Sequence, residues 1–338
     1  MKITAKELSA LLGLSEAAVS LALRSKKGVS VATRRRVLAA AEQYGYDFSR
    51  IRISSESSLM LHGSICLIIY RQHGAVVGDT LFFSELCEGI SMACKAANYK
   101  FCIYHINGEH EIDEQLSRVL NTDCAGIILL GTELREESFT RFMKLRVPLL
   151  LLDSYFEKTT CDCVAINNSQ GAYLATEYLI NRFSVQPGYL RSSYPIKNFL
   201  ERADGFFKVL REHGMSSSRT IVHQLAPSME GAMSDMLALL EAGEEPQRCY
   251  FADNDLIAMG VMRALKSKGY HIPKDVAIIG FDNISSAELC EPPLTTINVP
   301  KQYMGEVAMR RLLDILHGDA PQTVKIEVST KLVKRQSV

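Results

Sequence analysis

The stretch TAKELSALLGLSEAAVSLAL, residues 4–23, reads as two short amphipathic helices and the turn between them. Thr4-x-x-Glu7 has the form of a capping box, in which the hydroxyl accepts from the third backbone N–H and the carboxylate returns to the cap N–H. Leu8, Leu11 and Leu12 follow at i, i+3 and i+4, which predicts one apolar face over two turns. Gly13 stops the helix, because it takes the left-handed conformation without a Cβ penalty. Ser15 is placed to cap a second helix whose inward face is Val19, Ala22 and Leu23. The small Ser9 permits the steep crossing of a helix-turn-helix. Beyond the basic loop 24–28, Ser30 begins a third helix, with Val37, Leu38, Ala41 and Tyr44 inward and Gly45 at its end.

The charge around this unit is lopsided. Residues 1–52 hold ten Lys and Arg against four Asp and Glu, a net of +6, while residues 53–338 hold 28 against 34, a net of −6. A basic head on an acidic body suits a polyanionic partner at one end, although a solvated basic face has the same arithmetic. The outward residues of the second helix are Glu16, Ala17, Ser20 and Leu21, small enough for a helix to enter a major groove. Thr4, Ser15, Arg24, Ser30 and Thr33 sit at helix starts or turns, where hydroxyls and cations can hold phosphates. A helical protein–protein module has the same internal packing, so the motif leaves that reading open.

Outward from the head, 338 residues suffice for two or three domains, and 47 % apolar with 22 % charged residues excludes wholesale disorder. There is no apolar run of about 20 residues to span a membrane. MKITAKELSALLG lacks an apolar segment with a cleavage site, so no secretory signal and a cytoplasmic location are expected. Nine dispersed cysteines fit reduced thiols, and the Cys161-x-Cys163 pair has no second pair to complete a metal site.

The body alternates. Apolar runs at 64–70, 101–105, 126–130 and 148–152 are separated by helix-patterned 83–98 and 112–120. The pattern restarts with helices at 170–182, 199–213, 231–241 and 256–267, and strands at 188–192, 220–224, 249–252 and 276–281. Such βα alternation predicts parallel sheets covered on both faces, here two doubly wound lobes with a cleft. Ligands bind such sheets beyond the strand C-termini.

The segments TAKELSALLGLSEAAVSLAL, GVSVATRRRVLAAAEQYGY, FADNDLIAMG, DVAIIGFDN, PPLTTINVP and LVKRQSV together resemble the lactose/galactose-repressor (LacI/GalR) family of transcriptional regulators. The likeness runs from Thr4 to Val338 and is weakest over residues 47–62. It implies an all-α helix-turn-helix headpiece at 1–48, a hinge at 49–62 and an α/β effector-binding core at 63–338. The core would have two doubly wound parallel-sheet lobes of the periplasmic-binding-protein type, one at about 63–162 and 299–323, the other at about 163–298 and 324–338. It further implies a homodimer on a pseudo-palindromic double-stranded operator, a repressor controlled by a small-molecule effector, and a sugar or sugar derivative as that effector.

By this resemblance the base-reading residues are Glu16, Ala17 and Leu21, and Tyr46 joins the DNA-facing set. Glu accepts from a cytosine amine and Ala or Leu meets a thymine methyl, but none makes the bidentate arginine–guanine contact, so a distinct operator is expected. Where many relatives wedge a leucine into the minor groove, this chain has Ser55. Arg50 and Arg52 remain for a narrow minor groove. In the cleft, the correspondence gives Phe82 and Phe83 as stacking residues, or plain core aromatics, and Arg202 as the grip on hydroxyls or carboxylates. Asp153, Asn254 and Asp282 each end a strand-like run, and Ser192 is placed with them. Asn254 can equally cap the helix that follows it. Asn167 stands where relatives often have Asp.

Enzyme signatures are missing: G-x-G, G-x-x-x-x-G-K-[ST], H-E-x-x-H and G-x-S-x-G do not occur. No cofactor and no metal site are expected. A sugar receptor or a sugar-active enzyme without DNA function is the alternative, and it leaves the basic head unexplained.

Overall fold

The computed structural model describes residues 3–23, 29–44, 46, 62–78, 81–108 and 111–338. Arg24, Arg50, Arg52, Ser55 and Gly45 lie outside these, as does the expected hinge except His62. Contacts divide the chain into two units, 1–61 and 62–338.

The first unit is three helices: α1 (Ala5–Leu12), α2 (Glu16–Leu23) and α3 (Val31–Gln43). The Thr4/Glu7 capping box is complete, and Gly13 closes α1 at φ 63°. Leu8, Val19, Ala22, Leu23, Val37, Ala40 and Ala41 form its core. Two expected core residues lie outside it: Leu11 is 51 % exposed and Tyr44 45 % exposed. Ser9 takes the inward place expected of Leu11, since a small side chain there lets the helices approach. Tyr44 falls one residue beyond the end of α3.

The second unit begins with β1 (Ser64–Arg71), α4 (Leu81–Ala96), β2 (Lys100–Asn107), α5 (Ile112–Leu120), β3 (Cys124–Leu130), α6 (Glu136–Phe142), β4 (Leu149–Leu152) and β5 (Cys163–Ile166). It continues through α7 (Asn168–Phe183), β6 (Gly188–Ser192), α8 (Lys197–Glu212), β7 (Val222–Leu225), α9 (Met229–Glu241) and β8 (Cys249–Ala252). Then come α10 (Asp255–Ser267), β9 (Ala277–Asp282), α11 (Ser285–Leu289), β10 (Thr295–Asn298), α12 (Lys301–His317), β11 (Lys325–Val328) and β12 (Lys331–Val333).

Two six-stranded sheets result, ordered β11-β5-β4-β3-β1-β2 and β12-β10-β9-β8-β6-β7. Every pairing is parallel except the edge pair β10·β12. Central strands such as β1 and β3 are apolar on both faces because helices cover both, while the edge strand β2 alternates.

The lobe boundaries differ from those expected. Both β5 and β11 pair within the first sheet, so the chain crosses between lobes after Ile166 and after Val328, not near 162 and 323. Three crossings, near 167, 299 and 329, hinge the lobes. The helix α12 returns to the first lobe and packs on α4 through reciprocal glycines. A Cβ on Gly89 would collide with the Gln302 carbonyl, and one on Gly305 with the Leu86 carbonyl.

Candidate functional site

In the three-helix unit, the hydroxyls expected at phosphates serve first as caps. Thr4 Oγ1 accepts from Glu7 N (3.3 Å), Ser15 Oγ from Ala18 N (3.2 Å) and Ser30 Oγ from Thr33 N (3.1 Å). Thr33 Oγ1 lies 2.8 Å from Ser30 Oγ. The returning bonds from Thr4 hold the Glu7 carboxyl below its usual range. On α2, Glu16 and Ala17 are exposed, and Ser20 and Leu21 half-buried. At i, i+1, i+4 and i+5 these four form one continuous outward face, opposite Val19, Ala22 and Leu23. Tyr46 packs half-buried against the core of this unit.

In the second unit, strand ends from both sheets border a cleft of about 490 Å³ with its open mouth included. The first lobe contributes Val76, Phe82, Phe83, Thr132 and Asp153; the second contributes Asn198, Phe199, Arg202, Asn254 and Asp282, among others. Six of the seven expected effector residues thus meet here. Ser192 does not line the cavity: its N–H donates to Asp253 Oδ2 (2.7 Å) and its hydroxyl bonds Tyr194. It braces the loop after β6.

Arg202, on the second turn of α8, is 3 % exposed. Its Nε donates to Asn168 Oδ1 (2.9 Å), Nη1 to the Asp253 carbonyl and Nη2 to Asp282 Oδ1 (3.1 Å). The guanidinium lies 3.7 Å from the centroid of the Phe281 ring. Three of five N–H donors are committed to fixing its plane, and the others are available to a ligand.

The acids around it sit in an uncommon backbone. Asp153 and Asp282 have φ 61° and 104°, left-handed conformations that cost about 1–3 kcal/mol each and cluster at binding sites. Burial pushes the Asp153 carboxyl up to about 6, against bonds from Thr132 Oγ1 (2.5 Å) and Asn198 Nδ2 (3.0 Å). Burial also raises Asp282, outweighing the Arg202 and Lys301 cations. Asn254 does cap α10, its Oδ1 accepting from Ile257 N (2.8 Å), while lining the cavity. Asn167 caps α7 through Gln170 N (3.0 Å), which an Asp would do equally.

Side-chain bonds from Asn198, Lys301 and Lys197 join the lobes beside the cavity. Asn198 of the second lobe donates to Asp153 of the first. Lys301 of α12 donates through Nζ to the carbonyls of Asp282 (2.9 Å) and Asn283 (3.1 Å), with Glu85 Oε2 of α4 at 3.4 Å. Sequence reasoning missed Thr132, Asn198 and Lys301. The rule that selected Asp153, a polar residue just past an apolar strand, applies equally to Thr132 after β3. Asn198 and Lys301 begin helices and carry no such signal.

Among the described residues no group of three or more His, Cys, Asp or Glu could hold a metal, and no helix is long and apolar enough to cross a membrane.

Residues 188–338 match the periplasmic binding protein-like domain family. The whole chain is similar to the HTH-type transcriptional repressor PurR of Vibrio atlanticus (strain LGP32), 28 % identical over 99 % of this chain and 98 % of that one. Among solved structures, a LacI family transcriptional regulator from Enterococcus faecium with bound ribose is 25 % identical, covers 80 % of this chain and 98 % of its own, and superposes with a TM-score of 0.70. The transcriptional regulator CelR–cellobiose complex is 23 % identical, covers 100 % of both chains and has a TM-score of 0.72, a likeness of fold.

Proposed function

We propose that the chain is a regulator of the LacI/GalR family, a sequence-specific DNA-binding repressor whose hold on an operator is set by a sugar or sugar derivative bound between its lobes. The observation that carries this reading is the Arg202 cluster. A buried, plane-fixed guanidinium stands with two carboxylates, two amides and three phenylalanines around one cavity, the donor and acceptor mixture that a polyhydroxylated ring requires. PurR of V. atlanticus is named a repressor and the E. faecium regulator holds ribose, which supports the same reading.

The α2 face would enter the major groove, with Glu16, Ala17, Ser20 and Leu21 at base edges. Thr4, Ser15, Ser30, Thr33 and Tyr46, joined by Arg24, Arg50 and Arg52, would meet the phosphates and the minor groove. Two copies would bind half-sites about one helical turn apart. Effector binding would favour one lobe arrangement, moving the chain ends that carry the heads, and the coupling is reciprocal: operator must change effector affinity by the same factor. Turnover has no place in this reading.

The test is a thermal-shift panel of sugars, ribose and cellobiose included, on the full chain, because a ligand of the folded state raises its melting temperature. A sugar that shifts the parent chain and alters operator retardation should do neither in Arg202→Ala. Arg202→Lys, which keeps the charge beside Asp282, should also fail to respond, since it lacks the fork. A normal response in both variants would overturn the assigned role.

A further inference from the structure

Next to the cavity described above lies a second one of about 700 Å³ with its open mouth included. The two share Val76, Thr132 and Ile196 as walls, so one ligand can extend from one into the other. Resting on the sugar-effector reading, we propose that the effector is a sugar bearing an anionic group, phosphate or carboxylate, which Arg135 and Lys197 hold in this outer chamber.

The two chambers differ in chemistry. The inner one has Asp153, Asp282 and the amides of Asn198 and Asn254 around a single guanidinium, suited to hydroxyl groups. The outer one has Arg135 from the start of α6, Lys197 from the start of α8, and the imidazole of His73, whose ring lies 5.6 Å from that of Tyr194 across the two lobes.

The one carboxylate lining the outer chamber, Glu133, is already compensated. It is buried, and its Oε2 accepts from the backbone N–H groups of Gln72 (2.8 Å), His73 (3.0 Å) and Gly74 (3.0 Å), its Oε1 from Val76 and Val77 (2.9 Å each). Five donors on one carboxylate hold it ionised below its usual range despite burial, and they pin the loop that carries His73 and Val76. The wall is therefore formed before a ligand arrives, and Glu133 offers an incoming anion little net repulsion.

Both cations are available. Arg135 is exposed and carries no ion pair among the described residues. Lys197 Nζ pairs with Glu157 Oε1 at 2.5 Å, but the Glu157 side chain is 73 % exposed. The Lys197 side chain is half-buried beneath the pair, over the Tyr155 ring (4.7 Å), while its solvated partner is the mobile half, so a phosphate that also gains Arg135 can displace Glu157 and leave Lys197 in place.

Calorimetric titration of the full chain with matched pairs tests this: ribose and ribose 5-phosphate, glucose and glucose 6-phosphate, glucose and glucuronate, with inorganic phosphate alone. The expected result is an anionic sugar binding at least about tenfold tighter than its neutral parent, a difference of one decade in Kd. The double variant Arg135→Gln/Lys197→Gln should lose that preference while still binding the parent. Lys208→Gln, an exposed lysine elsewhere on α8, should keep it. The phosphate and uronate arms tell which anion is read. Equal or tighter binding of neutral sugars, a preference surviving in the double variant, or inorganic phosphate binding as tightly as the sugar phosphates would each overturn the proposal. Neutral sugars binding alone would leave the sugar-effector reading standing; no sugar of either kind binding would remove both.

Discussion

Asp255 is buried behind the cleft, between the lining residues Asn254 and Leu256. Its Oδ1 accepts from Thr296 Oγ1 (2.5 Å) and its Oδ2 from Ile284 N (2.9 Å), which ties the end of β9 to α10. Burial, with Asp282 nearby, raises its carboxyl from 3.8 to about 8, and burial holds Asp253 at about 6. Above about pH 4 the unfolded chain releases these protons while the folded chain retains them, so their contribution is full below 3.8 and is lost as pH rises through the folded values. Asp255→Asn should therefore gain stability relative to the parent as pH goes from 5 to 8, whatever its offset at pH 5. Melting temperatures of both chains across that range check this; a constant gap would contradict it. Arg202, Asp153 and Asp282 were legible in the sequence because they follow apolar runs or a resemblance. Ser192 follows such a run too, yet its backbone N–H serves Asp253, and no pattern of residue types shows which strand end turns away from the cavity.

At the scale of elements, caps and glycines decide where helices start and how closely they pack. Thr4→Ala removes half of the capping box and should cost the three-helix unit about 1 kcal/mol. Faster amide exchange over residues 5–12 of the full chain would report it, and unchanged exchange would argue against the cap. Gly305→Ala should destabilise the first lobe by about 1–3 kcal/mol, because the Leu86 carbonyl of α4 occupies the space its methyl needs. Denaturant unfolding of the parent and the variant measures this. The strands at 188–192 and 249–252 and the helix at 112–120 were legible to the residue, since each is bounded by turn residues. The short strands β5, β10, β11 and β12 were not: β5 and β12 each follow another strand with no helix between, only the short α11 precedes β10, and β11 pairs with β5 from far earlier in the chain. That is why the lobe boundaries expected at 162 and 323 fell on the wrong side of β5 and β11.

For the whole molecule, side-chain bonds between the lobes gather around the cavity, with the Lys197–Glu157 pair beside them. Asp153 to Asn198, and Lys301 to the carbonyls after β9, would be broken or strained by any relative rotation of the lobes. A ligand bridging Asp153 and Arg202 thus selects one arrangement, by no more than its differential affinity for the two. Lys301→Met should loosen this coupling, seen as a sugar that still binds but changes operator affinity less than in the parent chain; an undiminished change would remove Lys301 from the coupling. Operator affinity itself should fall as salt rises, through release of counterions from DNA. The most direct test is selection from a random duplex library by the full chain, in parallel with a chain lacking residues 1–61. Enrichment of a two-fold symmetric sequence by the full chain alone, with affinity altered by a cleft ligand, is the expected result. No enrichment by the full chain, with or without sugars present, would contradict it.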